Sequence, residues 1–295
     1  MIAHRRAASA GGLVILAAAT WGTGGLFIRA AALPATAIAF FRLVVPTVVL
    51  GAWFVLRRRK ISRRNMGTRL LASGLNAVRM YFFFLAFEYT SVATATVALY
   101  SWPIFAALFA KIILTETIGR RRATLLGLAF VGIPLLYIRG VAAGSVVFDR
   151  YEAIGISSMI FSAVLHALVV VLLKRASAGN SPFETTFFQN LVGAIVFAAI
   201  FLAGDLAVTT RQTVIGVSMG LFVGLGGFTL FFSGLHRLNA ASAAILAYFE
   251  VVVAGILGTV VLGEPLSWNT VVGGCLICCS VIGAQLQLAR EAESG

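Results

Sequence analysis

The sequence predicts an all-α membrane protein with ten transmembrane helices in two inverted five-helix repeats around a central cavity. Its 295 residues are 60% hydrophobic and only 11% charged, and its mean hydropathy is +0.99. A chain this apolar cannot bury its surface in one soluble core, so it must use lipid as solvent. The apolar residues fall into segments of membrane-spanning length, and the second half of the chain repeats the first.

Ten apolar segments, each about 20 residues long and therefore long enough to cross the hydrocarbon core, follow one another with short connections. They are predicted near 10–30, 35–56, 67–88, 92–114, 122–139, 152–173, 182–203, 213–235, 240–262 and 268–288.

The distribution of lysine and arginine predicts that both chain termini are cytoplasmic. Most basic residues fall between spans at one face, including the runs at 57–60 and 120–122. The exceptions are Arg29, Arg139, Arg150 and Arg211. Cytoplasmic loops carry the excess of positive charge, so the first face is the cytoplasmic one. The net charge of +13 is thus a topology signal, and no nucleic-acid partner is expected.

The two halves of the chain match at nearly one offset. Residues 40–42 (Phe-Phe-Arg) recur as 187–189 (Phe-Phe-Gln), and residues 93–95 (Ala-Thr-Ala) recur as 241–243 (Ala-Ser-Ala). Glu116 matches Glu264, 148 residues later. Because each half has an odd number of spans, the two repeats lie upside down relative to each other, as in carriers that alternate between two membrane faces. The repeats are predicted at 1–145 and 146–295.

These features resemble the drug/metabolite transporter superfamily, in its ten-helix branch built from two EamA-type repeats. The matching residues are Trp21-Gly22, Phe41-Arg42, Pro103, Glu116 and Glu264. One departure is Val251, because the family often has a proline after the preceding glutamate. The resemblance implies a secondary transporter that exports small metabolites. The many aromatic residues are also similar to those of the bacterial aromatic amino-acid exporters.

Ionisable side chains inside a span are costly and normally face protein or water, so each is a candidate substrate-binding residue. Arg42 and Arg79 are predicted to receive a substrate carboxylate, or alternatively to brace helix-end carbonyls. Ser73, Asn76 and Phe83 share the helical face of Arg79 and predict an inward polar stripe. Asn76 alternatively makes a hydrogen bond between helices.

Glu250 is the acidic residue expected nearest the membrane midplane. It is a candidate proton site or partner of a substrate amino group. Alternatively, it pairs with Arg79 or Arg42, or it makes a hydrogen bond with an irregular backbone. His166 is a candidate substrate donor, or alternatively a packing residue. Gln189 occupies the repeat position of Arg42, which predicts a chemically asymmetric site.

Aromatic residues predict a pocket for a flat substrate. Tyr100 and Trp102 immediately precede Pro103 in the fourth span, and Tyr248 lies in the ninth. Proline inside a span frees a backbone carbonyl and bends the helix, which membranes tolerate beside a cavity or a partner. Alternatively, these rings fill lipid-facing or interfacial positions.

Prolines and glycines predict how the helices bend and pack. Helix kinks are predicted at Pro46, Pro103 and Pro134. Glycines recur at every fourth position of the eighth span, at Gly216, Gly220 and Gly224. Such a stripe lets a neighbouring helix approach closely.

The leading hypothesis is a secondary transporter in the bacterial cytoplasmic membrane that exports amino acids, including aromatic ones, and works as a monomer. One alternative is a proton-coupled antiporter of cationic drugs, and another is a membrane enzyme acting on lipid-linked substrates. No ATP-binding loop motif is present. The cysteines, at 275, 278 and 279, have no histidine nearby. We therefore expect no catalytic residue, cofactor or metal site.

Overall fold

The computed structural model is helical and describes residues 2–143, 150–177, 180–204, 206–263 and 267–294, so Glu264 lies outside the described residues. Its helices are α1 (Ile2–Gly22), α2 (Gly24–Ala31), α3 (Ala35–Leu56), α4 (Met66–Tyr89), α5 (Val92–Leu99), α6 (Trp102–Ile113), α7 (Arg120–Ala143), α8 (Arg150–Ala176), α9 (Pro182–Ala203), α10 (Thr210–Met219), a π-helical segment (Gly220–Gly227), α11 (Phe228–Leu235), α12 (Ala240–Ala247), α13 (Phe249–Leu262) and α14 (Trp268–Ser294).

These helices form ten spans. Spans 1, 4 and 9 each consist of two helices (α1 with α2, α5 with α6, and α12 with α13), and span 8 runs from α10 through the π-helical segment to α11. Within the described residues, nine spans are long and apolar enough to cross a membrane. The remaining one, span 5, is the continuous 24-residue helix α7, which contains the predicted segment 122–139. The predicted all-α membrane fold is confirmed. The face of the bundle that carries the loop between spans 2 and 3 is called the terminal face below.

The packing of the spans follows the repeat. Span 3 packs against span 6, and span 8 packs against span 1. In the same way, the contact of span 4 with span 6 corresponds to the contact of span 9 with span 1. The contact of span 3 with span 7 corresponds to the contact of span 8 with span 2. Span 2 also packs on span 7, span 4 on span 9 and span 5 on span 10. Exchanging the two sets of five spans converts this pattern into itself, as an inverted repeat requires.

Spans 4 and 9 are both interrupted, and the two interruptions touch. Tyr100 lies between α5 and α6, and Tyr248 lies between α12 and α13, 148 residues later. The Tyr248 hydroxyl donates a hydrogen bond to the Tyr100 carbonyl at 2.9 Å. Pro103 lies in the first turn of α6, where the bend was predicted. Val251 holds the matching place in α13, so the second interruption forms without a proline.

The other two intramembrane prolines lie in continuous helices. α3 runs through Pro46 and α7 runs through Pro134, so kinks at these residues remain predictions. Pro46 has no N–H, which leaves the Arg42 carbonyl without its intrahelical donor. Gly224 faces this carbonyl, because a Cβ atom on Gly224 would lie 2.7 Å from the oxygen.

The glycine stripe of span 8 packs closely on span 2, as predicted. A Cβ atom on Gly216 would lie 2.5 Å from the Phe41 ring, and one on Gly220 would lie 2.5 Å from the Phe41 carbonyl oxygen. The π-helical segment begins at this contact. Single π-helical turns are rare and occur frequently at functional sites.

At the terminal face, Glu116 joins the two repeats. Its carboxylate pairs with the Lys174 ammonium at the end of span 6 and accepts the Ala240 N–H at 2.7 Å, at the start of α12. Lys174 also donates to the Leu238 carbonyl at 2.6 Å. An anion at a helix N-terminus satisfies an open backbone donor and favours the helix dipole.

Arg69 makes a second connection at this face. Its side chain is 1% exposed, pairs with Glu184 at 3.2 Å and lies 4.4 Å from the centroid of the Phe188 ring. It also donates to the carbonyls of Ser62 and Arg64 in the loop between spans 2 and 3. Span 3 is therefore fastened to span 7 at the terminal face.

The repeat-related helices α5 and α12 differ in burial. Every residue of α12 is buried, whereas Ala95 is the only buried side chain among those described in α5. α12 is surrounded by α1, α6, α7 and α14, while α5 packs mainly on α7 and α8. The terminal face therefore carries two ion pairs between the repeats and the start of the fully buried helix α12.

We expect Gly220→Ala to destabilise the protein, because the new Cβ atom would overlap the Phe41 carbonyl and the Val45 side chain. Overpacking of this kind costs about 1–3 kcal/mol. The matched control is Gly226→Ala in the same segment, where the nearest atom would be 3.5 Å away. Thermal unfolding in detergent should show a lower Tm for Gly220→Ala only. Equal Tm values for both variants would contradict close contact between spans 2 and 8.

Candidate functional site

Four of the predicted site residues meet between the repeats. Arg42 of span 2 and Glu250 of span 9 interact electrostatically, and Arg79 of span 3 and His166 of span 6 lie in the field of Arg42. Arg42, His166 and Glu250 keep part of their surface accessible, although they belong to the packed centre of the bundle. These four residues, called the central cluster, come from both repeats.

Arg42 has unused hydrogen-bonding capacity. Its guanidinium carbon lies 5.6 Å from the centroid of the Phe228 ring. Among the described residues, nothing forms a hydrogen bond or ion pair with this guanidinium. Since a guanidinium carries five N–H donors, the group can bind an anionic ligand without breaking an existing bond.

Arg79, in contrast, is held in place. Its Nε donates to the Asn76 Oδ1 at 3.2 Å, and one terminal nitrogen contacts the Met80 sulfur at 3.3 Å. Asn76 in turn donates to the Gln189 carbonyl at 3.0 Å, so it makes the interhelical hydrogen bond considered as the alternative. Ser73 accepts the Val192 N–H at 2.9 Å. The polar stripe of span 3 therefore faces inward, as predicted.

Glu250 is oriented by the other repeat. The Tyr100 hydroxyl donates a hydrogen bond to its carboxylate. Among the described residues, that carboxylate forms no ion pair with Arg42 or Arg79 within 4.0 Å, so its attraction to Arg42 acts across the space between them. Gly22 of span 1 packs against the backbone of Glu250, because a Cβ atom on Gly22 would lie 2.8 Å from the Glu250 carbonyl oxygen.

The predicted aromatic residues lie around the cluster but are almost fully enclosed. Tyr100, Trp102 and Tyr248 are 6%, 5% and 0% exposed. The Trp102 ring meets the His166 ring edge-on, with centroids 4.9 Å apart. His166 Nδ1 is buried without a partner, so this histidine packs on one side and keeps a free polar atom.

Two predicted residues lie elsewhere or have another role. Phe83 packs on Phe87, with ring centroids 4.9 Å apart, in an apolar group with Ala86, Ala95 and Met159 outside the central cluster.

Gln189 is 1% exposed, and its side-chain Oε1 is buried without a partner. Its confirmed contact with span 3 is through its backbone carbonyl.

The structure adds two aromatic residues that sequence reasoning left out of the site. The Trp21 ring lies 4.9 Å from the Phe228 ring, and its buried Nε1 has no partner. Gly227 makes room for it, because a Cβ atom there would lie 2.5 Å from Nε1. Trp21 could have been predicted as a site residue, because its position in the first repeat roughly corresponds to that of His166 in the second. Phe228 is one of 23 phenylalanines and carries no such signal.

The arrangement suits binding and carries no catalytic constellation. Two guanidiniums and one carboxylate face each other between aromatic walls, with unpartnered polar atoms on three further side chains, Trp21, His166 and Gln189. Within the part of the chain that the structure describes, no three His, Cys, Asp or Glu side chains are placed to hold a metal ion.

The chain matches known transporters along its length. The profile of the EamA-like transporter family matches residues 9–138 and 153–285. An uncharacterized transporter of Archaeoglobus fulgidus is 24% identical over 91% of this chain and 93% of its own. The pseudopaline exporter CntI of Pseudomonas aeruginosa is 25% identical over 92% of this chain and 93% of its own. Human solute carrier family 35 member G1 is 25% identical over 92% of this chain and 78% of its own.

A crystal structure of another protein has the same fold, with a TM-score of 0.81 and 19% identity, over 96% of this chain and 98% of that one. Family match, fold and an interior polar site agree. The protein therefore belongs to the EamA-like transporter family of the drug/metabolite transporter superfamily and is a multi-pass membrane transporter of small molecules.

Proposed function

We propose that this protein exports small carboxylate-bearing metabolites, first of all amino acids including aromatic ones, from the bacterial cytoplasm by alternating access through the central cavity. The observation that carries the proposal is the Arg42 guanidinium, which has no hydrogen-bond or ion-pair partner among the described residues. A relative named as an exporter supports the outward direction.

The cost of the arginine is the physical argument. A charged side chain inside a membrane span is expensive, and it persists where it pairs or faces a pathway. Arg42 is turned towards Glu250 and the Phe228 ring without pairing with either. A substrate carboxylate would form charge-assisted, bidentate hydrogen bonds with it.

The rest of the site fits the other parts of an amino acid. The Phe228 and Trp21 rings stand on the Arg42 side of the cluster, and Trp102 stands on the His166 side. These surfaces suit an aromatic or apolar side chain. The Glu250 carboxylate has lone pairs beyond the one that accepts the Tyr100 hydroxyl, so it can receive an ammonium group.

The packing supports alternating access. The Glu116 and Arg69 connections join the repeats at the terminal face. From the distribution of basic residues we propose that this face is cytoplasmic and that these connections close it. The conformation described would then be open towards the outside. The cavity lies within one chain, between its own repeats, so we propose a monomer surrounded by lipid.

Export of cationic drugs in exchange for protons is the second candidate, and Glu250 is the observation that favours it. A buried carboxylate can exchange a proton for a cation. Two guanidiniums in the same cluster oppose a cationic substrate, however, so this candidate has weaker support. The enzyme hypothesis has no support, since the family and the named relatives are transporters.

We expect proteoliposomes with the purified protein to take up labelled phenylalanine saturably, and Arg42→Gln to reduce this uptake about tenfold or more. Loss of a charge-assisted hydrogen bond costs about 1.5–3 kcal/mol. Glutamine is the residue of the second repeat at this position, so span 2 should accommodate it. The matched control is Arg29→Gln, at an exposed position of α2.

Tryptophan, threonine and methyl viologen complete the flux panel, with and without an imposed pH gradient. Amino-acid flux that follows concentration alone supports a facilitative exporter. Flux of methyl viologen only, and only with a proton gradient, would contradict the proposal in favour of the antiporter.

We expect Glu116→Gln to loosen the terminal face, because Lys174 would lose its ion-pair partner and Ala240 N–H its charged acceptor. Alkylation of an Ala243→Cys reporter in α12, in a background without the native cysteines, measures this opening. Ala243 is 1% exposed, so the reporter should react slowly until the face opens, and several-fold faster with Glu116→Gln. Glu88→Gln, at an exposed residue near the end of α4, is the control. Unchanged alkylation would show that Glu116 does not hold this face closed.

A further inference from the structure

We propose that the central site selects substrates with a net negative charge, that is, with one more anionic group than cationic groups. This inference rests on the proposed function and concerns only the charge of the substrate. It follows from the number of positive and negative groups in the central cluster and from the contacts that each of these groups makes.

Positive charge exceeds negative charge in the cluster. The cations are Arg42 and Arg79, and within the described parts of the chain Glu250 is the one acidic group that acts on Arg42. Even with the Glu250 carboxylate ionised, one guanidinium has no counter-charge. Glu116 and Glu184 are already paired with Lys174 and Arg69 at the terminal face.

The excess charge belongs to Arg42 in particular. Arg79 has Asn76 Oδ1 and the Met80 sulfur as acceptors, which partly replace its hydration. Arg42 has the face of Phe228, which attracts a cation but does not neutralise it. An uncompensated charge in a low-dielectric interior is costly, and an anionic ligand removes that cost.

A zwitterion and an anion differ sharply in this setting. Glu250 can receive the ammonium of a zwitterion, but that ammonium would enter a site that already holds two guanidiniums and would compete with Arg42 for the same carboxylate. An anion without an ammonium group restores neutrality with one contact. Within the proposed class, the preferred substrates are therefore acidic amino acids, N-acylated amino acids or the corresponding oxo and hydroxy acids.

Three ligands that share a phenyl ring and a short chain test the inference: 3-phenylpropionate, L-phenylalanine and phenethylamine, with charges of about −1, 0 and +1 at pH 8. Their affinities for the full-length protein in detergent are measured from the ligand-dependent rise in Tm. We expect 3-phenylpropionate to bind about tenfold more tightly than phenylalanine, and phenethylamine most weakly.

Two variants separate a charge effect from a structural one. Arg42→Gln should lower the ratio of anion affinity to zwitterion affinity towards one, whereas Glu250→Gln should raise it. A purely structural role would weaken all three ligands together and leave the ratio unchanged. Arg29→Gln should behave like the wild type, because that residue is exposed.

The inference is overturned if phenylalanine or phenethylamine binds most tightly, if both variants move the ratio in the same direction, or if no ligand raises the Tm. Arg42-dependent phenylalanine flux without anion preference would overturn this inference and leave the proposed function standing. Failure of every carboxylate to bind and to be transported would overturn both.

Discussion

The hydrogen bond from the Tyr248 hydroxyl to the Tyr100 carbonyl holds the centre of this protein together. Span 4 is interrupted at Tyr100, and the following N–H groups do not serve its carbonyl, since the Ile104 N–H bonds to Ser101 instead. An open carbonyl inside a membrane costs several kcal/mol, so a partner from another helix is needed. Tyr248 supplies that partner, and the hydroxyl of the same Tyr100 residue contacts Glu250. One contact thus joins both interrupted helices to the central cluster.

Equivalent positions of the two repeats have different roles in this conformation. Tyr248 donates to a carbonyl, whereas its counterpart Tyr100 donates to a carboxylate. α12 is enclosed on all sides, whereas its counterpart α5 is not. The two repeats have the same order of helices, so equivalent residues differ here because their surroundings differ. An inverted repeat allows the two sets of spans to exchange such environments, and the alternating access proposed above would use that exchange.

Much of the fold was predictable because lipid imposes simple rules on sequence. Apolar segments of spanning length predicted the ten spans, and costly charges such as Arg42, Arg79 and Glu250 had to meet in the interior. The rest depends on contacts between distant segments. A proline indicated the interruption of span 4, but span 9 is interrupted where no proline occurs. Phe83 follows the polar residues of span 3 at helical spacing, but it lies one turn further along the helix and packs in an apolar group.

The unpaired charge of Arg42 is held where it is by the packing of its own helix. Pro46 removes the donor that the Arg42 carbonyl would otherwise use, and Gly224 lets span 8 approach that carbonyl closely. This approach continues along span 8 to Phe228, whose ring lies under the guanidinium. The contact between spans 2 and 8 fixes the backbone from which the Arg42 side chain extends. A neutralising partner must therefore come to Arg42, and the space between the repeats is where a mobile ligand can do so.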